Sequence, residues 1–159
     1  KEPCCKEPCC KAMAGAASPS DFGRTPFEVT AGLNRALESG DWAIDWWEGD
    51  ARPGYTWDDA DHRSVTYFIR PRHQGKPIVE PTWGGTCVFL RRDGCKLPFT
   101  SLNGSPRRPA NCRNLIVKTT EGGSCTPDIL AHKQASAVRW GSYQSLLGDL
   151  RSKYEDSCW

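Results

Sequence analysis

Ser64-Val65-Thr66-Tyr67-Phe68-Ile69-Arg70 is the clearest strand in the chain. It is rich in β-branched and aromatic side chains, which fit a pleated, half-buried surface, and Pro71 ends it. Upstream, Asp41 to Glu48 alternates with Trp42, Ile44 and Trp46 on one face, which predicts a second strand antiparallel to the first. Between them, residues 50–62 hold Pro53, Gly54 and four aspartates and read as a loop. Asp58, Asp59, Asp61 and His62 lack the glycine and terminal glutamate of a calcium loop, so a solvated turn is the expected reading.

Working outward, Thr25-Pro26-Phe27-Glu28 is a helix start. Thr25 can cap the free amides, Pro26 suits the first helical position, and Glu28 closes a capping box. The helix should run to about Ser39 and stop at Gly40, with Phe27, Leu33, Ala36 and Leu37 on its apolar face. Thr86-Cys87-Val88-Phe89-Leu90 offers a third short strand. Turn residues fill Arg91 to Asn111. Thr126-Pro127-Asp128 repeats the cap-then-proline signal before Leu130, Ala137, Trp140, Tyr143, Leu147 and Leu150, which predicts a C-terminal helix over 126–157, kinked near Gly141 or Gly148.

The fold class expected is therefore α+β: one small domain over 1–159, with a cysteine-rich arm at 1–20, a cysteine-bearing stretch at 84–114 and the C-terminal helix. At 159 residues the chain is long enough for a real core, and its 25% charged and 38% hydrophobic residues are ordinary for a globular protein. Seven tryptophans against one methionine point to rigid aromatic packing. A net charge of +2 does not argue for nucleic acid as the partner. Neither a membrane span nor the apolar stretch of a secretory signal is visible, so the expected location is cytoplasmic, or within a particle assembled there.

The chemistry lies in nine cysteines. Lys1-Glu2-Pro3-Cys4-Cys5 is followed at once by Lys6-Glu7-Pro8-Cys9-Cys10, a perfect repeat with no apolar segment to bury its thiols. Adjacent Cα atoms sit about 3.8 Å apart, too close for an ordinary disulfide within a doublet. Each doublet more naturally sends its sulfurs to different partners. An odd count leaves at least one thiol free, metal-bound or paired with another chain. Cys87 leaves a short strand, Cys95 follows the Asp93-Gly94 turn and Cys112 follows a proline-stiffened loop, places where backbone amides can stabilise thiolates. These three, with one or two of Cys4, Cys5, Cys9 and Cys10, would complete a four-coordinate site.

Cys9-Cys10, Cys87-Val88-Phe89-Leu90, Gly94-Cys95-Lys96-Leu97-Pro98-Phe99 and Arg108-Pro109-Ala110-Asn111-Cys112-Arg113 resemble the motifs of the YkgJ-like cysteine-cluster family, described as zinc- or iron-chelating. The resemblance covers the N-terminus and residues 84–114. It implies Cys9, Cys10, Cys87, Cys95 and Cys112 as ligands, with Cys5, Cys4 and Cys125 less firmly implied. In the family the Gly-Cys and Cys-Arg cysteines lie closer together than Cys95 and Cys112, which are 17 positions apart. The Thr100–Arg107 excursion is harmless if its ends stay close. An all-thiolate set suits zinc or an iron–sulfur cluster, and metal binding would be coupled to folding.

Other residues have plainer expectations. Arg91, Arg92, Arg107, Arg108 and Arg113 form a basic patch whose simplest role is to lower thiol pKa values. His73 and His132 read as surface or helix histidines, with His132, seven residues after Cys125, the better non-thiol ligand or thiol partner. A disulfide-stabilised subunit of a larger assembly, such as a virion component, is the alternative function, with Cys158 as its intermolecular link to protein partners. No catalytic constellation is visible: Ser-His-Asp order, phosphate-binding glycine loop and dinucleotide fingerprint are all missing.

Overall fold

The computed structural model describes residues 15–49, 51, 65–81, 85–91, 94–95, 117–119, 125–127 and 129–155. They form an α+β fold around two long antiparallel strands, β1 (Trp42–Glu48) and β2 (Val65–Pro71). Three short α-helices pack with them: α1 (Pro26–Ser39), α2 (Ile129–Arg139) and α3 (Gln144–Tyr154). Four further strands are only two or three residues long: β3 (Leu90–Arg91) pairs with β4 (Gly94–Cys95), and β5 (Val117–Thr119) with β6 (Cys125–Pro127). Among the described residues no helix is long and apolar enough to cross a membrane.

β1 and β2 run in the expected antiparallel register, with Trp42 opposite Pro71, Asp45 opposite Phe68 and Glu48 opposite Val65. The alternation of β1 predicted one solvent-facing side, and the structure departs from this. Trp42 through Trp47 are all buried, because both faces of the strand are covered. β1 is also an inner strand. Its second edge is taken by residues 78–80, which run parallel to it: the Ile44 amide donates to Ile78 O at 2.8 Å and the Glu80 amide to Ile44 O at 3.1 Å. The outer edge of β2 is closed by two other groups, which keeps it from pairing with another chain. The Gln144 side-chain amide takes both backbone groups of Tyr67, at 2.7 and 3.0 Å, and the Ala17 amide donates to Ile69 O at 2.8 Å.

α1 begins as its sequence dictates. Thr25 Oγ1 accepts from the Glu28 amide at 3.2 Å, Pro26 opens the helix, and Gly40 ends it in the left-handed conformation at φ 84°. Glu28 closes the start one residue further out than expected, accepting from the Arg24 amide at 3.0 Å. The buried face is Val29, Gly32, Leu33, Ala36 and Leu37. Phe27, expected on that face, is 83% exposed; two positions before Val29, it lies about 200° around the helix from the buried stripe.

The predicted C-terminal helix is two helices. They are separated by Trp140 and a 3₁₀ turn, Gly141–Tyr143, at the expected break. Thr126 and Pro127 do not cap it: they belong to β6, opposite Lys118 and Val117, and the helix starts at Ile129. Pro127 has no N–H to give, so it ends the strand instead. Residues 86–90, expected as one strand, contribute only a bridge at Cys87 and the start of β3. The loop at 50–62 lies outside the described residues, apart from Ala51.

Trp42, Phe22, Trp140, Phe89 and Tyr143 form a chain of ring contacts at centroid distances of 5.2 to 5.8 Å. Trp140 Nε1 donates to Ala17 O at 2.8 Å. Ala16 and Ala17, which read as loop, are thereby fully buried. Gly32 allows this segment to close on α1, since a Cβ there would lie 2.7 Å from Phe22 O.

A charged cluster sits inside this apolar frame. Asp45 and Arg70 lie on the same sheet face, Arg70 opposite Ala43, whose small side chain leaves room for the guanidinium. Asp45 Oδ2 accepts from Arg70 Nε at 2.9 Å, and Oδ1 pairs with Lys133 Nζ of α2 at 3.1 Å and accepts from the Trp46 amide at 2.7 Å. Asp45, Arg70 and Lys133 are all 0% exposed. Removing one partner from such a set leaves a buried charge uncompensated, at a cost of about 3–5 kcal/mol. Asp45→Asn is therefore predicted to lower the unfolding free energy by about 3–5 kcal/mol in denaturant titrations, and adding Lys133→Met to recover part of the loss. A change below about 1 kcal/mol, the size of an exposed pair, would show that the cluster does not hold α2 to the sheet.

Candidate metal centre

Past Pro71 the chain leaves β1 and pairs with the segment carrying Cys87. The Gln74 amide donates to Thr86 O at 2.8 Å and the Val88 amide to Arg72 O at 2.9 Å. These two bonds flank the His73–Cys87 bridge, so the pair is the narrow, non-hydrogen-bonded kind, with both side chains on one face. Arg72 pins the turn that follows: Nε donates to Gly40 O at 2.7 Å, and Nη1 reaches Lys76 O at 3.2 Å. The Lys76 amide donates to His73 O at 3.1 Å, closing that turn.

Cys87 is 0% exposed and carries a free thiol. Three residues on, β3 begins the hairpin that returns Cys95 opposite Leu90. Cys125 opens β6, opposite Thr119 in the β5–β6 hairpin. Cys4, Cys5, Cys9, Cys10, Cys112 and Cys158 lie outside the described residues, as do the side chains of the expected basic patch. Among the described residues, no group of three or more His, Cys, Asp and Glu side chains is gathered as a metal site would require. The expected arm at 1–20 is described only from Gly15. It is anchored there by the Ala16 amide, which donates to His132 Nε2 at 3.1 Å, and by Ala17.

His132 is a helix histidine as expected, lying within α2, whereas His73 is on neither the surface nor a helix; both are buried, His73 at 0% and His132 at 2% exposed. His132 was the stronger ligand candidate, but its Nε2 accepts from the arm. Burial holds its imidazole down to about 4, with Arg139 repelling the charged form and Asp45 pulling the other way. His73 is held down to about 2 by burial first, then by Arg70, Lys76 and Lys133. Glu80 completes the surroundings. Its backbone oxygen and carboxylate accept from Arg70 Nη2 at 2.9 and 3.1 Å, and burial raises its carboxyl above the ordinary value against the pull of Arg70.

Sequence reasoning missed this charged surrounding. Asp45 looked like the polar member of an alternating strand. The usable signal was its opposite charge to Arg70 on the neighbouring strand. The His73–Cys87 pairing had no local signal, since the two are 14 positions apart. Compared with protein-family models, curated proteins and solved structures, the chain matches none. The fold and site define no more than a small α+β protein with a buried cysteine–histidine pair.

The His132 clasp carries a sign that can be tested. Its folded pKa, about 4, lies below the ordinary 6.5. Its contribution is whole above pH 6.5 and is lost as pH falls through about 4, because the unfolded chain takes up the proton first. His132→Gln keeps an acceptor for the Ala16 amide and does not titrate. Between about pH 7 and 4.5 the parent is predicted to lose about 2 kcal/mol more stability than the variant in urea unfolding. Parallel losses would contradict the assignment.

Proposed function

We propose that the chain is a metal-binding cysteine-cluster protein, holding zinc or an iron–sulfur cluster in a structural or redox role. Cys87, Cys95 and Cys112 would supply the loop thiolates, and the N-terminal repeat the rest, Cys9 and Cys10 first. The observation that carries this reading is the placement of Cys87. It is a free, fully buried thiol in a two-stranded ladder, three residues from the hairpin that returns Cys95 beside Leu90.

Two further features support it. The arm is fixed at Ala16, and Cys10 is six residues upstream, so it can reach about 20 Å from that anchor. Arg70, Lys133 and Lys76 place positive charge close enough to act on His73, and a thiolate-rich metal centre carries net negative charge that such a surrounding complements. A closed thiolate site has no open position for a reacting water, which favours structural or redox work over hydrolysis.

Metal and acid-labile sulfide analysis of the natively purified chain, with thiols counted before and after chelation, tests the proposal. Stoichiometric zinc or iron is expected, with further thiols becoming titratable once it is removed. Sulfide would single out a cluster. Absence of metal with few titratable thiols would overturn the reading and leave the disulfide-linked subunit in its place.

A further inference from the structure

We propose that the contact between His132 and Ala16 is an acid-operated latch: a proton taken up by the imidazole releases residues 15–17, the root of the cysteine-bearing arm, while the sheet and helices stay folded. The Ala16 amide donates to His132 Nε2 at 3.1 Å, with Ala16 at 0% and His132 at 2% exposed. An imidazole nitrogen accepts only while it carries no proton, so this bond fixes a neutral ring with its hydrogen on Nδ1. Protonation turns Nε2 into a second donor facing the first, in a place that water does not reach, and leaves the Ala16 amide without its acceptor. The clasp therefore closes on one charge state of the ring alone.

The hold on this segment is mostly polar. The Ala17 amide donates to Ile69 O at 2.8 Å, and Ala17 O accepts from Trp140 Nε1 at 2.8 Å. Gly15, Ala16 and Ala17 bring two methyl groups to the core between them. Past Ala17 the hold changes in kind. The Ser18 amide donates to Asp21 Oδ2 at 2.8 Å and the Asp21 amide to Ser18 O at 2.9 Å, a local closure that needs nothing from His132. Phe22 then packs its ring against Trp42 and Trp140. An opening that begins at Ala16 stops at Ser18.

Burial, and after it Arg139 on the same helix, oppose the charged ring; Asp45 of β1 favours it, and is itself held by Arg70 of β2 and Lys133 of α2. Residues 15–18 of the arm carry no charged side chain. The closed ring stays neutral down to about 4, whereas a ring released into water takes up its proton near the ordinary 6.5. The open form thus binds the proton more tightly. As pH falls from about 6.5 to about 4, the balance moves toward it by on the order of tenfold per pH unit. His73, held down to about 2, takes no part in this window. Cys4, Cys5, Cys9 and Cys10 all precede the latch in sequence, so the tethering of both doublets becomes sensitive to pH whatever those thiols bind.

Amide hydrogen exchange of the natively purified chain at pH 7 and pH 5, corrected for the intrinsic rates, reads the opening. Protection at Ala16 and Ala17 is expected to fall on the order of tenfold between those values. Protection at Ile44, whose amide bonds to Ile78 O, is expected to hold. His132→Gln shares every carboxylate and thiol with the parent but does not titrate at 132. It should show no such fall, whether its side chain keeps the Ala16 amide closed or leaves it open at both values. Nitrogen-15 shifts of the parent's His132 ring should give the Nδ1–H tautomer at pH 7. An Nε2–H ring there, constant protection at Ala16 and Ala17, or equal losses in parent and variant would each overturn the latch. So would a fall at Ile44 matching that at Ala17, which is acid unfolding of the whole chain.

Discussion

Everything described in this fold is arranged around one buried carboxylate. Asp45 sits in the middle of a strand covered on both faces, where an unpaired charge could not be kept. Its two oxygens draw Arg70 from β2 and Lys133 from α2, so three elements meet at a point that water does not reach. An ion set of this kind contributes less to net stability than its distances suggest, because three groups had to be desolvated. It does exclude alternatives. A one-residue slip of β1 against β2 would carry Asp45 to the opposite face and strand all three charges.

The same set reaches the candidate metal centre through Arg70. Beyond Asp45, its guanidinium accepts no slack: Nη1 donates to Pro71 O and Nη2 to Glu80 O and its carboxylate. Those contacts fix the chain as it leaves β2 and as it returns along β1 at residues 78–80. The turn between them carries His73. Arg72, bonded to Gly40 O at the end of α1, ties that turn to the helix, and the ladder with residues 86–88 then places Cys87. Burial first, and then the cations that hold the sheet, keep His73 neutral; the cations are a by-product of how the sheet is held and would suit a centre built from thiolates. Cys87 belongs to the buried core. The frame is built by helices and sheet, and the metal would lock the ladder attached to it.

Elements whose signals are local were legible. The cap at Thr25, the proline at 26 and the glycine at 40 bounded α1 because each acts within one turn. β1 and β2 were legible because their aromatic and β-branched runs are long. Phe27 misled because an apolar residue near a helix start was counted on the face without its angle being followed. Thr126-Pro127 misled because the cap-then-proline signal is also consistent with a strand's last residues. The burial of Asp45, His73 and His132 was not legible, for a common reason. Their burial comes from partners far along the chain, Arg70 and Lys133, the 86–88 segment, and the Ala16 amide, and residue type alone predicts exposure for all three. The cysteine motifs were legible as motifs; which sulfurs meet is a matter of long-range closure that spacing does not fix.

The central claim is that a frame held at Asp45 stands without metal, and that the proposed metal at Cys87 would lock the ladder attached to it. Amide hydrogen exchange before and after chelation tests it at four positions. The account predicts that Ala17 and Ile44, bonded to Ile69 O and Ile78 O, keep their protection when metal is removed. Gln74 and Val88, whose bonds flank the His73–Cys87 pair, should exchange on the order of tenfold faster or more. Loss of protection at all four together would contradict the independent frame, and unchanged exchange at Gln74 and Val88 would contradict a metal at Cys87.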